Sequence, residues 1–188
     1  MQNNIHKIIR ERRSSYPHEF NGNIVPDNII KQLLEDAHWA PNHYMNLPWR
    51  FVVLQGASLN AWLQQVLVIE GVDEASHPQK FQKIALFKQR ISHAIVLVQT
   101  TSEHPKANAF EDALSIAAGV QNMYLGLSDY EQVGGYWSTG LCNNHPEMKQ
   151  HLQLSASETM LGYFIVGMLD QKRTEAKRPS VDSHIQYL

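Results

Sequence analysis

The chain has 188 residues, of which 43% are hydrophobic and 18% are charged, and its formal net charge at pH 7 is -2. This composition argues against a disordered chain, and the slightly acidic balance leaves no general positive field for nucleic acid or an anionic membrane surface. The length favours a single domain over residues 1–188.

The first third of the chain changes between helical and extended patterns. Isoleucines at helical spacing predict an amphipathic helix over residues 4–12, and a second apolar stripe predicts a helix over residues 27–39, which Pro41 ends. A loop rich in Asn and Pro follows over residues 41–48. A continuous apolar run then predicts a strand over residues 49–55, and we expect it to be buried on both faces.

The next part of the chain predicts two helices and a strand. Ser58 is expected to cap a helix over residues 58–70, and a further helical stretch covers residues 81–89. The apolar residues between 93 and 100 predict a second buried strand.

The remaining elements complete a mixed fold. We predict a loop over residues 102–107, a long central helix over 110–128, a strand over 133–138, a short helix over 146–152 and a strand over 160–169. Because helices and strands mix without strict alternation, we predict an α+β layered domain.

Residues 170–188 form a polar tail with few apolar side chains. Such a tail would bury little surface by folding back on its own chain. One interpretation is that it docks on a partner subunit and so forms a homodimer, and the other is a frayed terminus. The pattern alone does not decide between the two.

Cellular location follows from what the sequence lacks. Cys142 is the single cysteine, so the chain cannot form an internal disulfide, and nothing indicates an oxidising compartment. No stretch reaches the roughly 18 apolar residues of a membrane span, and the start does not resemble a signal peptide. We therefore predict a cytoplasmic protein, and we interpret Cys142 as structural rather than as a nucleophile.

Two segments carry groups that suit a bound ligand. Arg12, Arg13 and Ser14 follow the first helix, where guanidinium and hydroxyl groups could bind a phosphate; the alternative is a solvated helix end. Gly134 and Gly135 interrupt the third strand and indicate close approach of a ligand or of another part of the backbone. The alternative there is a glycine bulge beside a core tryptophan.

The residues after these glycines and the early loop add further candidates. Trp137, Ser138 and Thr139 offer backbone and side-chain donors that would suit the flat ring of a flavin. His43 could reach a phosphate or a ring edge, although a surface histidine in a turn is the alternative. Glu111 and Asp112 are expected on the solvated face of the central helix.

Several common catalytic motifs do not occur in the sequence. The ten histidines form no HExxH pattern, and neither GxGxxG, nor a phosphate-binding GxxxxGK[ST] loop, nor a GxSxG serine motif is present. The sequence therefore gives no support for zinc hydrolysis, a Rossmann dinucleotide site or serine hydrolysis.

Three segments taken together resemble one known family. They are Arg12-Arg13-Ser14, Ala40-Pro41-Asn42-His43 with Pro48-Trp49-Arg50-Phe51, and Gly135-Tyr136-Trp137-Ser138-Thr139-Gly140. In this order they resemble the nitroreductase family of FMN-dependent oxidoreductases, and the compact bacterial members in particular. The resemblance extends from about Ile5 to Pro179.

The resemblance implies a fold and a set of site residues. The fold would be α+β, with a mostly antiparallel central sheet flanked by helices, in an intertwined homodimer with FMN at the interface. The C-terminal arm, residues 170–188, would dock on the partner subunit. Arg12, Arg13 and Ser14 would hold the phosphate and part of the pyrimidine ring, and Lys177 or Arg178 would complete the phosphate site. Trp137, Ser138 and Thr139 would line the flavin. Trp39 and His43 would come from the partner chain.

The resemblance also implies an activity. The protein would move hydride from NADH or NADPH through FMN to nitroaromatic, quinone or similar electron-poor acceptors, with ping-pong kinetics. One alternative is a module that binds FMN without turnover, and another is the same fold with reductive dehalogenation or flavin-consuming chemistry. Nucleic-acid binding is a third and weaker alternative, because it rests only on the basic run at residues 10–13.

Three positions differ from the common family pattern. Tyr16 stands where many members have an arginine, Leu47 stands where many have a glutamine, and Lys177 and Arg178 are spaced differently from the usual cation pair.

Overall fold

The computed structural model describes residues 5–100, 105–172 and 177–188. Residue 4 of the predicted first helix lies outside this range. Residues 102–104 of the predicted loop and residues 173–176 of the predicted arm lie outside it as well.

The helices and strands lie within three residues of the predicted bounds. The helices are α1 (Ile5–Glu11), α2 (Asp27–His38), α3 (Gly56–Ile69), α4 (Pro78–Arg90), α5 (Ala109–Gly126) and α6 (Pro146–His151), and the strands are β1 (Trp49–Gln55), β2 (His93–Gln99), β3 (Val133–Ser138) and β4 (Thr159–Met168). Within the described residues, no helix combines the length and the apolar character that crossing a membrane would require.

The four strands form one sheet in the order β1-β2-β4-β3. All three neighbouring pairs are antiparallel. The α+β prediction is therefore confirmed, and so is the mostly antiparallel sheet that the family resemblance implied.

Both faces of the sheet are covered by helices. Side chains alternate between the two faces along a strand. In β2, Ala94, Val96 and Val98 pack with α3, α4 and α6, whereas Ile95 and Leu97 pack with α2 and α5. This burial on both sides explains why β2 and β4 are almost entirely apolar.

The prediction that β1 is buried on both faces is wrong. Only Trp49 and Leu54 of this strand are buried, and the side chain of Val53 is 37% exposed. The reason is the position of β1 at the edge of the sheet, where β2 is its single strand neighbour. An apolar run reports side-chain chemistry and does not reveal the strand order.

The start of α3 also differs from the prediction. Strand β1 runs directly into the helix through Gly56, whose φ of 51° lies in the left-handed region that glycine tolerates. Gln55 is the N-cap residue, and its backbone N–H donates to the Ser58 hydroxyl oxygen at 3.0 Å. Ser58 therefore lies inside the first turn rather than at the cap.

A bulge in β4 positions the end of β3. Leu161 and Gly162 both fall opposite Leu97 in the pairing of β2 with β4. Gly162 has a φ of 114°, and a Cβ atom there would clash with the carbonyl oxygen of Ser138 and lie 3.0 Å from Nε1 of Trp137. The absence of a side chain at position 162 therefore allows two candidate site residues to lie directly against β4.

An ion pair between the partly exposed Arg50 and the largely buried Glu158 joins β1 to the turn before β4. Arg50 donates from Nε to Oε1 of Glu158 at 2.6 Å and from Nη2 to Oε2 at 2.9 Å. The backbone N–H of Ser155 adds a third hydrogen bond to Glu158 at 2.7 Å. The hydrogen bond from Arg50 is the main reason that the pKa of Glu158 falls from 4.5 to about 2.

We predict that Glu158→Gln lowers the free energy of unfolding at pH 7 by about 1 kcal/mol, because the side chain of Arg50 is 41% exposed and water screens the pair. The pKa of Glu158 is lower in the folded chain, so its stabilisation is complete above pH 4.5 and is lost as the pH falls towards 2. Urea unfolding of both proteins from pH 7 to pH 2 measures this. The difference between them should shrink through this window, and a constant difference would contradict the assignment.

Candidate functional site

Tyr124 on α5 joins two of the predicted site segments. Its hydroxyl oxygen accepts a hydrogen bond from the backbone N–H of Trp137 at 2.9 Å and lies 3.1 Å from Oγ of Ser14. Since the side chain is only 9% exposed, these bonds form away from water. Tyr124 therefore fixes the segment after α1 against the end of β3.

Arg12 packs on the ring of the same tyrosine, and Arg13 bonds to Arg12. The guanidinium carbon of Arg12 lies 4.9 Å from the centre of the Tyr124 ring, which is a cation–π distance. The guanidinium of Arg13 donates to the carbonyl oxygen of Arg12. The backbone N–H of Ser15 donates to the carbonyl oxygen of Gly135 at 2.9 Å, so the whole segment lies along β3.

A cavity of about 650 Å³ opens beside these arginines. Its lining residues are Ile9, Arg10, Arg12, Arg13, Gln121 and Arg178. Four of these six side chains are guanidinium groups, and the described lining contains no carboxylate. Guanidinium groups bind phosphate oxygens in a bidentate manner, so this cavity suits a phosphate-bearing ligand.

The cavity distinguishes the two C-terminal cations. Arg178 lines it together with Arg12 and Arg13, although these residues are far apart in sequence. Lys177 is exposed and is not among the lining residues described for this cavity. The sequence left both cations as candidates, and the structure brings Arg178 to the arginine cluster.

A smaller cavity of about 200 Å³ lies on the other side of Arg12 and Arg13. Lys172 lines it, and its Nζ donates to the carbonyl oxygens of Leu127 at 2.6 Å and Tyr130 at 3.1 Å. Burial lowers the pKa of Lys172. These bonds attach the chain after β4 to the end of α5, close to the arginine cluster.

The end of β3 presents the other predicted site residues. Nε1 of Trp137 donates to the carbonyl oxygen of Leu161 at 3.0 Å, so the indole is held against β4. Ser138 is partly buried and Thr139 is exposed. Among the described contacts, neither hydroxyl bonds to another part of the chain, so both are free to meet a ligand.

The two glycines of β3 allow neighbouring side chains to pack closely against the strand. A Cβ at position 134 would lie 2.6 Å from Cβ of Ser15, and one at position 135 would lie 2.5 Å from Cζ of Phe164. Both distances are far below van der Waals contact. The pairing of β3 with β4 is regular from Val133 to Ser138, so the glycines do not form a bulge in β3.

His43 lies away from the arginine cluster, and Trp39 is at the end of α2. The side chain of Trp39 is 82% exposed. Nδ1 of His43 lies 3.9 Å from Oε2 of Glu111, at the beginning of α5. Tyr124, which contacts the arginine cluster, is near the other end of the same helix.

The length of α5 therefore separates the predicted site into two parts. Glu111 and Tyr124 are 13 residues apart in sequence. At a rise of 1.5 Å per residue this corresponds to about 20 Å along the helix axis. His43 and the arginine cluster thus do not meet within one chain.

The prediction that Asp112 lies on the solvated face of α5 is wrong. The residue is 3% exposed, and its Oδ1 accepts a hydrogen bond from Nδ2 of Asn46 at 2.7 Å. The face of α5 that carries Asp112 is covered by the loop after α2, which the helical pattern of α5 alone does not reveal. Glu111, one position earlier, is partly exposed and faces His43.

Cys142 has no features of a nucleophile. Its Sγ lies 3.9 Å from the carbonyl oxygen of Val66, and the side chain is partly buried rather than exposed. Burial is the main reason that the pKa of the thiol rises from 9.0 to about 11. The thiolate is therefore scarce at neutral pH, which agrees with a structural role.

Sequence reasoning missed Tyr124, and it did not include Arg10 in the predicted cofactor site. A tyrosine on an apolar helix resembles an ordinary core residue, and nothing local marks its hydroxyl as a junction between two distant segments. Arg10 belongs to the basic run at the end of α1, two positions before Arg12 in the sequence. No residue pattern predicted that Arg10 and Arg12 would line one cavity together with Arg178 of the C-terminal segment.

Comparison with known proteins identifies the fold. The family model of the nitroreductase family matches residues 9–168. A candidate NAD(P)H nitroreductase of Bacillus subtilis, YfhC, is 27% identical over 178 residues, which covers 93% of this chain and 89% of the relative. These matches confirm the family resemblance.

Solved structures agree over the whole chain. A nitroreductase-like family protein from Bacillus cereus has a TM-score of 0.84 at 23% identity and covers 100% of this chain and 97% of its own. A candidate nitroreductase from Desulfovibrio desulfuricans, solved in complex with FMN, has a TM-score of 0.76 at 20% identity, covering 100% and 99%.

We predict that Tyr124→Phe weakens the connection between the two site segments, which the backbone bond from Ser15 to Gly135 still joins. The change removes both hydrogen bonds of the hydroxyl and leaves the buried N–H of Trp137 unpaired, at a cost of about 1–3 kcal/mol in the free energy of unfolding. Urea unfolding measures the loss. Tyr130→Phe is the matched control, because no described hydrogen bond uses its hydroxyl. Equal effects of the two changes would contradict the role of Tyr124.

Proposed function

The chain belongs to the nitroreductase family, and we propose that it is an FMN-dependent NAD(P)H oxidoreductase. The acceptors we propose are nitroaromatics, quinones and similar flat, electron-poor molecules. The name of the Bacillus subtilis relative supports the nicotinamide donor, and the FMN complex of the Desulfovibrio protein supports the cofactor.

The arginine-lined cavity is the observation that carries the proposal. Arg12, Arg13 and Arg178 line a space of about 650 Å³. FMN ends in a phosphate dianion, and a cluster of guanidinium groups is the chemistry that retains such a group. In this proposal these three arginines bind the phosphate of FMN, and Lys177 lies outside the set of residues that line the cavity.

The groups beside this cavity suit the rest of the cofactor. Ser14 follows the arginines and offers a hydroxyl, and the end of β3 presents the free hydroxyls of Ser138 and Thr139. Trp137 is fixed by Tyr124 and Leu161, so it would form a rigid wall rather than a mobile one. These residues fit a ribityl chain and the edge of a flavin ring.

We propose that a second copy of the chain completes the site. Trp39 and His43 would then reach the flavin from the partner. For His43, α5 keeps the side chain away from the arginine cluster of its own chain. Exposed apolar side chains support such an interface. They include Ile5, Ile9, Trp39, Met45, Phe110, Leu114, Val181 and Tyr187.

The C-terminal segment fits the same arrangement. All described residues from 177 to 188 are exposed, and Val181, Tyr187 and Leu188 present apolar groups to solvent. The described hydrogen bonds of residues 180–188 are all local. We propose that this arm docks on the partner subunit, which would cover the apolar groups.

The protein contributes binding and positioning rather than acid–base catalysis. When bound, FMN supplies the redox chemistry, taking hydride from the nicotinamide and passing electrons to the acceptor, which predicts ping-pong kinetics. The arginines hold the phosphate end, and the rigid strand end with Trp137 fixes the ring edge. Acceptor size would be limited by the exposed loop residues around His43 and Trp39.

An anaerobic absorption spectrum of the purified protein tests this function. We expect a flavin spectrum that bleaches when NADPH or NADH is added, because the nicotinamide reduces bound FMN. A flavin spectrum that persists would favour a binding module or altered flavin chemistry instead. Failure to bind added FMN would contradict the proposal altogether.

Two neighbouring cations provide a matched pair for the same measurement. Arg178→Ala should lower flavin content and weaken FMN binding by about tenfold or more, since it removes a charge-assisted phosphate contact. Lys177→Ala removes one positive charge at the adjacent position but spares the cavity. Equal losses in both variants would mean that the cavity is not the phosphate site.

A further inference from the structure

The loop between α2 and β1 is held in a strained conformation. Within residues 42–47, Tyr44, Met45 and Leu47 have φ values of 50°, 51° and 47°. Residues other than glycine disfavour this left-handed region because their Cβ atom crowds the backbone. Three such residues within four positions persist only when surrounding contacts hold the loop in place.

Asn46, the residue between Met45 and Leu47, is anchored to α5. Its Nδ2 donates to Oδ1 of Asp112 at 2.7 Å. Asp112 is 3% exposed, so the bond joins an amide to a carboxylate that water hardly reaches. A hydrogen bond to a buried charge is stronger than a neutral one, and losing it leaves the charge without its donor.

The Asn46 amide has one favourable orientation. Its Oδ1 is buried and has no hydrogen-bond partner among the described residues. If the amide flipped, its oxygen would face the Asp112 carboxylate and the two acceptors would repel each other. The single bond from Nδ2 therefore decides how this part of the loop sits.

The other described contacts of the loop lie nearer the surface. Nζ of Lys106 lies 5.7 Å from the centre of the Tyr44 ring, and both side chains are exposed. The backbone N–H of Leu47 donates to Oδ1 of Asn42 at 3.1 Å, but both residues belong to the loop itself. The contact of His43 with Glu111 spans 3.9 Å, and both side chains are nearly half exposed. Among the contacts described for this loop, the bond to Asp112 is thus a buried connection to the core.

We propose that Asp112 is a positioning residue. Its carboxylate fixes Asn46, keeps residues 42–47 in their strained conformation and so sets the place of His43. The consequence for flavin rests on the proposed function, in which His43 reaches the cofactor of the partner subunit. Asp112 itself touches neither cofactor nor substrate.

A purely structural role for Asp112 makes a different prediction. A carboxylate in the first turn of α5 also interacts favourably with the helix dipole. If that were its whole role, removing its charge would matter and changing Asn46 would not. Asp112→Asn keeps an acceptor oxygen but loses the charge, whereas Asn46→Ala keeps the charge but loses the contact.

Chymotrypsin digestion of the full chain measures the loop directly when mass spectrometry identifies the cut after Tyr44; the bond after Leu47 resists this protease because Pro48 follows it. We expect Asn46→Ala and Asp112→Ala to be cleaved about tenfold faster than the unchanged protein, since the loss of a charged hydrogen bond shifts local opening by roughly that factor. Asp112→Asn should be cleaved at an intermediate rate, because it keeps an acceptor for Asn46 but loses the charge that strengthens the bond. The double variant Asn46→Ala with Asp112→Ala should be cleaved no faster than either of these two single variants, because both changes remove the same hydrogen bond.

The control is Asn60→Ala, which makes the same chemical change at an exposed position of α3. It should be cleaved like the unchanged protein. Cleavage of Asn46→Ala at the unchanged rate would overturn the proposal. If Asp112→Ala does not fold, Asn46→Ala still decides the outcome, because its side chain belongs to the loop.

Titration with FMN separates this inference from the proposed function. Faster cleavage together with weaker FMN binding supports the full proposal. Faster cleavage with unchanged FMN affinity would overturn the link between the loop and the flavin. Absence of FMN binding by the unchanged protein would refute the proposed function, and the cleavage rates would still test the anchor.

Discussion

The hydroxyl group of Tyr124 is the contact on which the arrangement of the site depends. It lies within hydrogen-bond distance of Ser14 and accepts a bond from Trp137, so one side chain of α5 aligns two segments that are more than a hundred residues apart. The ring of the same residue places Arg12. Because this junction is buried, a ligand would meet a surface that is already formed, which lowers the entropic cost of binding.

Helix α5 organises both parts of the candidate site, one at each end. Tyr124 orders the arginine cluster near the C-terminal end, while Asp112 anchors the strained loop at the N-terminal end. About 20 Å of helix lies between these ends. A rigid helix cannot bring its own ends together. In the proposed dimer, each flavin site therefore takes the arginine cluster from one chain and the loop with His43 from the other.

Most of the fold could be predicted from the sequence, because the elements bury continuous apolar runs or helical stripes. The errors concern neighbours rather than elements. Val53 is exposed because β1 is an edge strand, and Asp112 is buried because a distant loop covers it. In the site, the arginines and the Trp137-Ser138-Thr139 segment could be found by residue chemistry, whereas Tyr124 could not. Its role depends on two tertiary contacts that leave no trace in the local pattern.

A hybrid of two differently altered chains tests the central claim, a flavin site shared between two copies. One chain carries Arg12→Ala and the other His43→Ala, with different affinity tags, and dimers that contain both are isolated. In a shared arrangement the hybrid has one intact site, so it should hold about half of the flavin of the unchanged dimer and more than either altered homodimer. A hybrid with no more flavin than the altered homodimers would contradict the account.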